Sequence, residues 1–201
     1  MTKQKLYGGC FRASPVFRGE IQELSERYSD NKQRFDASLI AGGVRCHFGN
    51  VQVLVCRPFT RKGRPFPTTF WLVCPYLVRL AGEIESKGGV RELEEFMTNR
   101  NMFHEWMSYN LQHQVIRLGL AGKCSAFRKY HAKVFRSVMR SGIGGMKQAD
   151  TINVKCLHLQ TASFIALGRH PGGEWLRQKD LCSNCSGARS CCRSCSPEGQ
   201  G

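Results

Sequence analysis

The sequence predicts an α+β domain, mainly helical, with one small antiparallel β-hairpin and a cysteine-rich C-terminal tail. Three observations point there. "VQVLVC" and "TTFWLVC", residues 51–56 and 68–74, are β-branched apolar runs parted by the turn residues Gly63, Pro65 and Pro67. Downstream of Pro75 the apolar positions recur at helical spacing. From about residue 180 on, "DLCSNCSGARSCCRSCSPEGQG" has almost no apolar content except cysteine. At 201 residues the chain suits one domain with appendages and can bury a core without staples. The expected plan is a flexible segment over 1–14, a single α+β domain over 15–179 and the tail over 180–201.

Each element has a local cause. In "SPVFRGEIQELSERYSD" Ser14 can cap a short helix, Pro15 fits its first turn, and Val16, Ile21 and Leu24 share an apolar side. Gly42, Gly43 and Gly49-Asn50 read as turns before the first strand, and "TRKGRPFPT" as the hairpin loop. Pro75 then opens a helix with Leu77, Leu80, Ala81 and Ile84 at helical spacing, which Gly88-Gly89 ends. "VRELEEFM" is a second helix of this group. Residues 100–122 form a third, carrying Phe103, Trp106, Met107, Leu111 and Leu118. Residues 123–140 form a fourth, with Phe127, Tyr130, Val134 and Val138 inward. After the loop "SGIGG", Thr151 can cap a fifth helix from 152 to about 167.

Composition narrows the function classes. The net charge of +15 and pI of about 9.6 favour polyanionic partners such as nucleic acid, nucleotides or polyphosphate. No apolar run is long enough to span a bilayer, and the N-terminus lacks the apolar core of a signal peptide. A cytoplasmic protein is therefore expected. Eleven cysteines cannot all pair within one chain, and in a reducing compartment they point to metal or reactive thiols.

Three sets of residues could carry chemistry. In the tail, Cys182-x-x-Cys185 and Cys192-x-x-Cys195, with Cys191 spare, offer four thiolates suited to zinc, although the linker is short. Lys129, Lys133, Arg136 and Arg140 are spaced four, three and four apart, so they line one helical face where acids are almost absent. That face is the expected anion-binding surface. Cys46, Cys74 and Cys156 are dispersed, and by residue type alone they read as small buried hydrophobes.

The turn "VRCHFG", the run "RPFPTTFWLVCPYLVRLAGEIESKGGVRELEE" and "GGMKQADTINVKCLHLQTA" resemble an uncharacterised bacterial family, domain of unknown function 501. The resemblance covers about residues 44–170. It rests on Cys46, Phe66-Pro67-Thr68, Cys74-Pro75 and Lys155-Cys156-Leu157-His158 falling in order. His47 stands where the family pattern usually has proline, and the cysteine-rich tail is longer than expected. The resemblance carries no activity. It implies that Cys46, Cys74 and Cys156 belong to a pattern, whereas Cys56 and Cys124 do not.

On that basis Cys46, Cys74 and Cys156 are expected to converge as thiolate ligands to zinc or an iron–sulfur cluster, with His158 or Cys182 as a fourth ligand. Residues two apart on a helix point about 200° apart, so Cys156 and His158 can share an ion only if the helix begins after residue 156. Otherwise His158 serves a separate hydrogen-bond partner. Two other readings stay open. One is a thiol- or metal-dependent enzyme on an anionic or phosphorylated substrate, with His158 as acid–base. The other is a nucleic-acid-binding accessory protein with structural cysteines. No acidic pair, hydroxyl-nucleophile motif, HExxH, phosphate loop or helix-turn-helix signature assigns a reaction.

Overall fold

Both apolar runs form strands, and a third strand joins them. The computed structural model describes residues 5–7, 11–28, 35–122, 132–147 and 149–182. Strands β1 (Lys5–Tyr7) and β2 (Phe11–Ala13) pair antiparallel. Strands β3 (Ile40–Arg45), β4 (Val51–Cys56) and β5 (Phe70–Leu72) form a second antiparallel sheet with β4 in the centre. The α+β class and the helical bias hold, and the hairpin supplies two of the three strands of a sheet.

The extra strand corrects the reading of Gly42 and Gly43 as turn residues. Gly43 pairs with Leu54 inside β3, and its backbone also exchanges two hydrogen bonds with Ser14. A Cβ at Gly43 would meet the side chains of Val16 and Val51 at 3.0 Å. The glycine is there for close approach of the N-terminal segment. Ser14 is thus engaged by the sheet and caps no helix. The flexible reading of 1–14 also fails for its described residues. Phe11 and Ala13 are buried, and the Phe11 ring meets Phe70 edge-on at 5.1 Å.

Seven α-helices lie among the described residues: α1 (Arg18–Arg27), α2 (Pro75–Glu85), α3 (Gly89–Asn99), α4 (Phe103–Ala121), α5 (Ala132–Arg140), α6 (Leu157–Leu167) and α7 (Gly173–Gln178). The first starts later than expected because Glu20 accepts a hydrogen bond from the Phe17 N–H at 2.8 Å and pairs with Arg45. Strand alternation then sorts the core. Val53, Val55, Phe70 and Leu72 pack with Leu77, Ile116, Leu120, Ala162 and Ala166, while Leu54 and Cys56 pack with Leu24 and Val73. A second cluster joins Ala81, Leu93, Met97, Trp106, Leu157, Phe164 and Leu176 between the helices. Helix α6 sits between both clusters and is buried on most sides, as a helix without a clear polar face must be.

Helix α4 buries Trp106, Tyr109, Ile116 and Leu120, but its buried side also carries polar residues. Leu111 and Leu118 are exposed, whereas Asn110, His113 and Arg117 are buried. The cause is the set of partners waiting at the end of α5. The Arg117 guanidinium donates to the carbonyls of Val138, Ser141 and Gly142, at 2.7 to 2.9 Å, where α5 ends. Asn110 Oδ1 accepts from the Ile143 N–H. Carbonyls at a helix C-terminus lack intrahelical partners and carry the negative end of its dipole, so they can hold a buried cation. Val134, expected inward, is 40% exposed. Phe127 and Tyr130 lie outside the described residues.

The C-terminal boundary also moves. Leu181, expected in the tail, has its side chain fully buried in the second cluster, and its N–H bonds the Leu176 carbonyl. Deleting residues 183–201 is expected to leave the thermal transition of the domain intact. Leu181→Ala should cost about 2–5 kcal/mol, and equilibrium denaturation of both variants checks the boundary. A truncation after Cys182 that loses cooperative unfolding refutes it.

Candidate metal centre

The segment before α6 is not helical, and this decides the site. Thr151 is exposed in a bend and caps nothing, and residues 152–156 are irregular. Two glutamates from other helices take the backbone donors that a helix would have used. Glu94 of α3 accepts from the Val154 N–H at 2.7 Å. Glu85, the last residue of α2, accepts from the Leu157 N–H at 2.5 Å. Helix α6 therefore begins at Leu157, with Cys156 extended at its N-cap (φ −166°, ψ 156°). The Cys156 side chain makes no cap bond, so the carboxylate of Glu85 caps α6 from outside. Gly89 lets the α2–α3 turn come this close, since a Cβ there would meet Leu157 Cδ1 at 3.0 Å and Ile84 Cγ2 at 2.4 Å.

This late start brings Cys156 and His158 together. The ligand atoms of Glu85, Cys156 and His158 all lie within 4.8 Å of one another. His158 Nδ1 is 3.0 Å from Glu85 Oε1, and His158 Nε2 is 3.1 Å from the Val78 carbonyl. A carbonyl only accepts, so Nε2 carries a proton and Nδ1 is the nitrogen presented to the carboxylate. Hydrogen bonding to Cys156 is the largest cause pushing His158 up to about 9, with Glu85 adding to it and burial opposing it. Without a metal the ring is an imidazolium that donates from Nδ1 to Glu85 and from Nε2 to the Val78 carbonyl, with Cys156 beside it. With the Nδ1 proton displaced, the same three groups present sulfur, nitrogen and oxygen donors to one point.

The expected triangle of Cys46, Cys74 and Cys156 does not form. Among the described residues, neither Cys46 nor Cys74 belongs to a group of three such ligands within 4.8 Å. Cys74 stands at the N-cap position of α2, while Glu85 ends it. Eleven residues of helix separate the two ends, about 16 Å at 1.5 Å per residue. Cys156 sits at the far one. Cys46 is buried in the turn after β3, where its N–H bonds the Asn50 carbonyl, and Cys74 packs in the sheet core. Cys182 packs against the second cluster and is absent from the group as well. Cys185, Cys191, Cys192 and Cys195 lie outside the described residues, as does Lys129. Lys133, Arg136 and Arg140 are exposed on α5.

Sequence reasoning missed Glu85. It reads as an ordinary carboxylate on an amphipathic helix, and its partner Leu157 lies 72 residues further along the chain. The only local hint is the β-branched Val154 beside Cys156, which favours extended backbone.

The architecture is thus an α+β domain that, among the described residues, gathers one group of three potential metal ligands, at the junction of α2 and α6. Residues 43–178 match the family model described as "Protein of unknown function (DUF501)", and the chain belongs to that family. No curated protein and no solved structure matches it. No helix among the described residues is long and apolar enough to cross a membrane.

The histidines give stability a pH dependence of two signs. The folded state raises His158 from 6.5 to about 9. Its contribution is complete below pH 6.5 and is lost as pH rises through 9. His113 and His170 are lowered to about 3 by burial, so they lose stability as pH falls from 6.5 towards 3. Denaturation of metal-free protein across pH should show both limbs. His158→Gln should flatten the alkaline limb, by on the order of 1–2 kcal/mol once solvent screening is allowed for, and leave the acid limb. A second substitution tests the cap. Glu85→Ala should cost about 1–2 kcal/mol, with Glu85→Gln recovering most of it because an amide oxygen still accepts from the Leu157 N–H. Equal losses in the two variants would speak against external capping.

Proposed function

We propose that the protein binds a metal ion through Cys156, His158 and Glu85, and that zinc is the ion these donors suit best. The observation that carries this is the approach of three different ligand atoms to within 4.8 Å of one another. One thiolate, one imidazole and one carboxylate match the preferences of zinc, and three protein ligands leave a fourth position for water or substrate. The Val78 carbonyl acts as the outer partner that fixes the His158 tautomer and leaves Nδ1 for the metal. An iron–sulfur cluster is the weaker choice, because such clusters draw mainly on cysteines and this group offers one. The ion must displace the His158 proton, so affinity is expected to rise with pH.

Thiol chemistry is the second reading. The Cys156 thiol stands at a helix N-terminus in hydrogen-bond contact with His158, which is the environment of an activated nucleophile. It assigns no substrate. The two-knuckle tail set of Cys182, Cys185, Cys192 and Cys195 remains a separate proposed zinc site.

Zinc content after anaerobic purification decides between these. The chain should carry Cys185→Ser, Cys191→Ser, Cys192→Ser and Cys195→Ser, so that tail thiols do not contribute. One equivalent of zinc is expected, with Cys156→Ser and His158→Gln each weakening binding by at least about tenfold. Zinc bound equally well by Cys156→Ser overturns the metal reading. Fast alkylation of Cys156 that added zinc does not slow would favour the thiol.

A further inference from the structure

We propose that the β4–β5 loop and helix α5 form one docking surface for the phosphate backbone of a nucleic acid. This goes beyond the metal centre and uses none of its residues.

Charge along the chain is segregated. No Asp or Glu occurs between Asp36 and Glu83, and none between Glu105 and Asp150. The fold brings these two acid-free stretches together. Phe59 of the β4–β5 loop stacks on Phe135 of α5, with centroids 5.7 Å apart and planes 14° from parallel. Phe59 is buried there with Ala121, Val138 and Met139. The exposed cations Arg61, Lys62 and Arg64 of the loop are thereby carried to the helix that bears Lys133, Arg136 and Arg140.

Little among the described residues neutralises them. Arg64 reaches Asp36 at 3.6 Å, and Lys62 also acts on that carboxylate at longer range, while Arg61, Lys133, Arg136 and Arg140 make no ion pair with the described residues. Elsewhere the domain does pair its charges, as in Arg45 with Glu20 and Lys179 with Glu92. The surface is also held in place. Arg117 grips the last carbonyls of α5 from inside, and Arg57 ties the loop to the carbonyls of Ser38 and Ile40. Like charges fixed side by side without counter-charge repel one another, and a polyanion that releases its own counterions relieves this. The cations are strung along a helix and a loop rather than gathered in a pocket. Such a layout fits an extended chain of phosphates, and Arg forks suit phosphate oxygens.

Fluorescence anisotropy of the full chain with a short labelled single-stranded RNA, across a salt series, tests this. Three charge-matched variants are compared: Arg61→Glu with Lys62→Glu, Lys133→Glu with Arg136→Glu, and Arg18→Glu with Lys87→Glu as a control away from the surface. Both surface pairs should lose about tenfold or more in affinity, and the salt slope should flatten by about 0.7 for each phosphate contact removed. The control should change little. Glutamine replacements give the same ranking if a glutamate variant fails to fold. Equal loss in the control reduces the effect to net charge and overturns the proposal. So does an unchanged loop pair. Inorganic polyphosphate that competes better than unlabelled RNA, at equal phosphate concentration, would transfer the surface to that ligand and overturn the nucleic-acid assignment.

Discussion

The carboxylate of Glu85 is the constraint on which the candidate centre depends. It ends one helix and begins another, accepting from the Leu157 N–H and facing His158 Nδ1 at 3.0 Å. The first amides of a helix have no partners within it, and the residue placed to supply one, Cys156, has a side chain that makes no cap bond. An external carboxylate fills that role and leaves the thiol to His158. Cap, histidine partner and potential ligand are thus one side chain. Folding and site assembly are coupled through it, because the same docking of α2 against α6 is required by both.

A second constraint works at the other end of the helical layer. The buried guanidinium of Arg117 has no carboxylate beside it in its hydrogen-bond set, which consists of carbonyls and the Ser141 hydroxyl. Burial lowers its pKa only to about 10, so it stays charged at neutral pH. The result is a helix that buries Asn110, His113 and Arg117 beside Trp106, Ile116 and Leu120 and leaves Leu111, Val115 and Leu118 exposed. Helix α5 is held by its C-terminal carbonyls, and its cations face solvent. Buried polar groups on α4 and the anchored end of α5 are therefore two sides of one arrangement.

Much of the fold was legible because it rests on local rules. Strand β4 announces itself by β-branched residues, and α2 by Pro75 at its first turn with Gly88 just past its end. Strand β3 was not legible, since its paired glycines look like a turn until Ser14 is laid across Gly43. The burial of Asn110, His113 and Arg117 on α4 was not legible either, because apolar spacing alone cannot know that Arg117 has carbonyl partners elsewhere in the chain. Leu181 was lost in a polar tail because a single apolar residue leaves no periodic trace.

The site divides in the same way. The sequence alone determined that Cys156 and His158 could meet only if their helix began late, since that comes from 3.6 residues per turn. It also determined an excess of uncompensated positive charge around residues 129–140, which is composition. Whether the helix began late was decided by Glu85 and Glu94, which take the amides of Leu157 and Val154 from 60 or more residues away in sequence. The separation of Cys74 from Cys156 was decided by the length of α2. Hydrogen bonds between distant segments and the rigid span of a helix are properties of the folded chain, and local sequence carries neither.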